Sequence, residues 1–111
     1  MRAGLAALVL LGCFLPATLV EAQDVEIGRQ TAAKWCSGCH QIDPQSPVSN
    51  DTVPSFASIA RMSSTTEMSL AAFLSTSHNR MPDFSLTRTE IRDVSAYILS
   101  LKQPAPRNRT D

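Results

Sequence analysis

One five-residue stretch limits what this chain can become: Cys36-Ser37-Gly38-Cys39-His40. If it closes as one helical turn, positions i and i+3 share a face, so Cys36 and Cys39 stand side by side. Two thiols at that spacing can each add to one of the two vinyl groups on a haem edge. His40, i+4 from Cys36, then aims its imidazole at the iron. Cys-x-x-Cys-His is the attachment signature of a c-type haem. Ser37 and Gly38 are small, which lets a porphyrin lie close to the backbone. Two other chemistries use a Cys-x-x-Cys pair. A redox dithiol of the thioredoxin kind sits beside a βαβ pattern, and none is present here. A zinc site needs further ligands. His78 is the only other histidine and Cys13 the only other cysteine, the latter in a segment expected to be removed.

That segment is residues 1–22, which read as a secretory signal. Arg2 supplies the positive start, an apolar run broken by Gly12 and Pro16 follows, and Val20-Glu21-Ala22 places small residues at −3 and −1 before Gln23. A retained membrane anchor has the length it needs, but Pro16 and the cleavage-like end favour removal. Leu10-Leu11-Gly12-Cys13 also resembles a lipoprotein signal, although Phe14-Leu15 is an unusual sequel to a lipidated cysteine. Export places the protein in a bacterial periplasm, with no stable membrane insertion once the signal is gone. Loss of Cys13 leaves Cys36 and Cys39, and no odd thiol in an oxidising compartment. The 111 residues carry a formal net charge of zero and no run of like charge, which argues against nucleic acid and against a polybasic membrane patch. A mature chain this short usually needs a staple, and a covalently held porphyrin would be one.

Helical punctuation fills the rest of residues 23–103, which form one domain. Asp24 can cap a helix running toward Cys36, with Val25, Ile27, Ala32 and Trp35 as inward positions. Gly28 inside it costs about 1 kcal/mol against alanine, for which a close helix crossing is a fair explanation. Residues 41–53, rich in Pro, Ser, Asn and Asp, form a loop long enough to wrap one haem face. Pro54 opens a short helix with Phe56, Ile59 and Ala60 inward. Ser64 with Glu67 reads as a capping box for a helix through Ser75, with Leu70, Phe73 and Leu74 on one stripe. Residues 76–86 are a second loop. Thr87 with Glu90 is another capping box, opening a helix to about Lys102 whose apolar face is Ile91, Val94, Tyr97, Ile98 and Leu101. Residues 104–111 read as a disordered tail. No stretch reads as a strand, so the fold class is all-α.

A haem held by His40 needs its other face explained. Met81 leads: it lies in a loop roughly forty residues after His40, next to Pro82, where packing alone does not call for a methionine. A thioether there favours reduced iron and fills the coordination sphere. Met62 and Met68 flank helices and read as filler, and a ligating His78 would give a lower potential. The Pro54 carbonyl could brace the second ring nitrogen of His40, or Pro54 could simply start its helix. Arg61, Arg80 and Trp35 could reach haem propionates or be ordinary surface and core residues.

Gly28, the Cys-x-x-Cys-His stretch, Pro54-Ser55-Phe56, Met81-Pro82 and the last helix with Tyr97 together resemble the class I mono-haem cytochromes c. The resemblance spans nearly all of residues 23–103. It implies three to five helices around one covalently bound haem c, the first and last helices crossing where Gly28 meets Tyr97. It also implies His40 and Met81 as axial ligands. One departure is the loop after His40, where Val53-Pro54 stands in place of the Gly-Pro of many members. The expected function is periplasmic electron transport without enzymatic bond chemistry, between a redox-protein donor and acceptor met transiently. A dedicated cytochrome subunit of a periplasmic dehydrogenase or oxidase is the alternative. A haem enzyme or gas sensor would need an open iron position, and a dithiol oxidoreductase two free thiols.

Overall fold

The computed structural model describes residues 22–48, 50–77 and 80–102. The expected secretory segment up to residue 21, the tail 104–111 and His78 lie outside the described residues. Among the described residues four helices follow one another: α1 (Val25–Trp35), α2 (Phe56–Arg61), α3 (Glu67–Leu74) and α4 (Arg88–Ser100). Among the described residues there is no β-strand, and no helix is long and apolar enough to cross a membrane.

Side-chain caps set where the helices begin. Asp24 is extended and its carboxylate accepts from the N–H groups of Glu26 and Ile27, both at 3.0 Å. Thr87 and Glu90 close a reciprocal capping box on α4, as the sequence predicts. The start of α3 differs from expectation. Its N-cap is Thr66, boxed with Ser69, and not Ser64 with Glu67. Four consecutive Ser/Thr residues offer competing caps, and Thr65 is already committed: it is buried, and its hydroxyl donates to the Ile59 carbonyl at the end of α2 (2.7 Å). Pro54 likewise does not start α2. Ser55 is the N-cap, accepting from Ser58 N–H at 3.1 Å, and Pro54 lies outside the helix.

α4 is the hub. α1, α2 and α3 all pack on it and make their helix–helix contacts with it alone. Residues 93–98 are therefore buried without a break, where the sequence predicted a single apolar face. The α1–α4 crossing is very close. A Cβ on Gly28 would stand 2.0 Å from the Asp93 carbonyl oxygen and 3.0 Å from the Tyr97 Cβ. Gly28 and Ala32, four residues apart, form the contact face of α1, and both are buried. This corrects the expected inward set. Val25, Ile27 and Trp35 are exposed, because so tight a crossing admits only small side chains on the facing stripe. Asp93 is buried on α4 and accepts from the Asp24 backbone N–H at 3.0 Å. Its carboxylate thus ties down the start of α1, the helix end that favours negative charge. The core gathers Ala32, Cys36, Ile42, Phe56, Ala60, Leu70, Val94, Tyr97 and Ile98. Phe73, expected on the inward stripe of α3, is exposed.

Candidate functional site

The Cys-x-x-Cys-His stretch follows directly from α1. Cys36 N–H still donates to Ala32 O (2.8 Å), and His40 N–H then donates to Cys36 O (2.9 Å), closing one turn beyond the helix. Both cysteines are free thiols. Cys36 is part of the core, and Cys39 is exposed. Burial pushes the Cys36 thiol up to about 11, the opposite of the lowered value that makes a dithiol nucleophile reactive. Among the described residues no three His, Cys, Asp or Glu side chains gather to hold a metal ion.

The three residues from His40 to Ile42 are each held. His40 Nδ1 lies 2.7 Å from the Pro54 carbonyl oxygen. A carbonyl only accepts, so Nδ1 carries the proton in this bond. Phe56 N–H donates to Gln41 O at 2.9 Å. The buried Tyr97 hydroxyl donates to Ile42 O at 2.8 Å. Rings continue the brace: His40 to Phe56 is 5.4 Å between centroids, and Phe56 to Tyr97 is 6.3 Å. Of the two roles the sequence left open for Pro54, the structure shows the carbonyl one. The Tyr97 and Phe56 hydrogen bonds carry no sequence signal, since each depends on elements far apart in the chain.

Met81 is carried by a separate loop. It is half-buried and lines a concavity with Phe73 and Leu74 of α3, Thr76, Pro82, Asp83, Phe84 and Leu86. Asp83 shapes this loop by accepting from Ser85 N–H (2.8 Å) and from Ser77 Oγ (3.4 Å), with Ser85 in the left-handed region at φ 51°. Of its rivals, Met62 and Met68 are exposed, 48% and 82%. Arg61 and Arg80 are exposed as well.

These residues suit a haem. Two unpaired thiols and a histidine tethered through Nδ1 occupy a single turn, and Met81 lines a concavity with Phe73, Leu74, Phe84 and Leu86. A helical fold built over such a turn defines a small mono-haem c-type cytochrome. Residues 23–98 match the family model described as cytochrome c oxidase, cbb3-type, subunit III. The chain is also 43% identical over 81 residues to cytochrome c-552 of Bradyrhizobium diazoefficiens, covering 73% of this chain and 78% of that protein. No solved structure matches it. The chain belongs to that cytochrome c family, whose members carry covalently bound haem c and move electrons between redox partners. Cys36 and Cys39 have the spacing of its haem-attachment motif.

Proposed function

We propose that this chain is a periplasmic electron carrier. A single haem c is joined to Cys36 and Cys39, with His40 and Met81 as its axial ligands. The observation that carries the reading is the 2.7 Å bond from His40 Nδ1 to the Pro54 carbonyl, on the turn that holds two unpaired thiols. Such a bond fixes the tautomer of a ligating histidine and strengthens it as a donor. Met81 is favoured for the second position because it lines a concavity with Phe73, Leu74, Phe84 and Leu86, while Met62 and Met68 face solvent. The bound haem would supply a one-electron ferric–ferrous couple, and the protein does no bond chemistry of its own. The chain holds the ligands and sets the polarity around them. Docking with donor and acceptor is transient and small. Residues 1–22 direct export and are removed, leaving a domain of residues 23–103 with a tail of 104–111.

Absorption spectra of the periplasmically expressed protein, oxidised and reduced, test the reading. A sharp reduced α-band together with the weak near-infrared band of iron–sulfur ligation is expected. Met81→Ala should abolish the weak band and keep the α-band, whereas retention of both in Met81→Ala would move the ligand elsewhere. Recovery from the periplasmic fraction with Gln23 as the first residue checks the export reading. The family match, described by an oxidase subunit, favours the alternative of a dedicated subunit. Stable co-purification with a large oxidase would decide for it, and a monomer exchanging electrons with several donors would decide for the free carrier.

A further inference from the structure

Trp35 closes α1 and precedes Cys36, yet it turns away from the core and is 37% exposed. It is not solitary. Its ring lies 5.4 Å from that of Phe84, centroid to centroid, at a tilt of 35°. The Lys34 ammonium stands 4.5 Å from the same ring, so the indole is contacted from its own helix and from the loop. Phe84 follows Met81 by three residues and lines the same concavity. The Asp83 bonds to Ser85 and Ser77 shape the loop and tie it back to the end of α3. They do not reach the attachment turn. The Trp35–Phe84 contact does, joining the Met81 loop to the residue beside Cys36.

We propose that Trp35 and Phe84 form a clasp that positions Met81, holding its loop against the attachment turn so that the thioether stays on the iron. The clasp rests on the Met81 ligation proposed above. Aromatic rings at this separation attract each other beyond the area they bury. Loss of such a pair weakens loop closure roughly two- to tenfold. An outside ligand can bind only while the loop is open, so its apparent affinity rises in proportion to the open fraction.

Imidazole titration of the ferric holoprotein reads that fraction, with an intact reduced α-band confirming attached haem in each variant. Trp35→Leu and Phe84→Leu are each expected to lower the apparent Kd for imidazole roughly two- to tenfold. The double variant should do no more than either alone, and Trp35→Phe should restore most of the closure. The weak iron–sulfur band should fade in parallel. Trypsin should also cut faster after Arg80 in the holoprotein, a readout that needs no outside ligand. Met81→Ala sets the upper limit. If Met81→Ala tightens imidazole binding while Trp35→Leu and Phe84→Leu leave it unchanged, or if their effects simply add, the clasp is overturned and the ligand assignment stands. If Met81→Ala changes nothing, the ligand assignment falls and takes the clasp with it. Should Trp35→Leu fail to mature, Phe84→Leu decides, since it lies away from the attachment turn.

Discussion

Tyr97 spans the molecule with one hydroxyl. It fills the crossing against Gly28 and donates to the Ile42 carbonyl, two residues past His40. Tyr97→Phe leaves that buried acceptor without a partner, which should cost about 1–3 kcal/mol in a urea titration. Burial is the main cause that raises the Tyr97 phenol above its ordinary value of 10.0. The sign follows. Its contribution is complete below the unfolded value, near 10.0, and is lost as pH rises through the higher folded one. Tyr97→Phe should therefore flatten the alkaline fall in stability as well as lower the plateau. Ser95 offers the opposite case. Its hydroxyl is buried on α4 with no hydrogen-bond partner, so Ser95→Ala should leave the melting temperature unchanged or raise it.

At the scale of elements, the crossing of α1 and α4 sets the strictest limit. A methyl group on Gly28 would meet the backbone of Asp93, which cannot swing aside as a side chain can. Gly28→Ala should force the helices apart and cost about 3 kcal/mol, read from the chemical denaturation midpoint. Caps give a gentler, pH-dependent term. Thr87 donates from its backbone N–H (2.8 Å) and its hydroxyl (2.9 Å) to Glu90, which holds that carboxylate below its ordinary 4.5. On α1, Arg29 first and Gln30 second hold Glu26 down to about 2. Depressed carboxylates add stability above their unfolded value of 4.5, and that stability is lost as pH falls through the folded value. Glu90→Gln should make unfolding less steep with pH on the acid side, followed by circular dichroism. Both carboxylates lie at the surface, so each effect should shrink in high salt.

For the molecule as a whole, the sequence made legible whatever depends on neighbours in the chain. Asp24 and Thr87 announce their helices, Cys36 to His40 announce their turn, and Gly28 announces a crossing. Ile27 and Trp35 misled because hydrophobicity does not reveal which face must be small, a matter that α4 decides from some seventy positions away. The brace on residues 40–42 was half legible. Pro54 stood out through its position, while the Phe56 and Tyr97 bonds exist only once distant segments meet. Met81 stands out in the sequence as a methionine in a polar loop, and the fold sets it in the wall of a concavity. Phe84 carried no such mark, since only the folded chain sets it on Trp35.

The dependence of every other helix on α4 also reaches into synthesis. The thirteen residues of Arg88–Ser100 leave the ribosome after the other three described helices. Until they emerge, α1 has no surface on which to lay Gly28 and Ala32, and the turn from Cys36 to His40 lacks the Tyr97 bond that steadies its end. Contacts that bridge such long separations form late and slowly. A nascent chain therefore carries Cys36 and Cys39 on a segment that Tyr97 does not yet brace. Arrival of Arg88–Ser100 then supplies that brace.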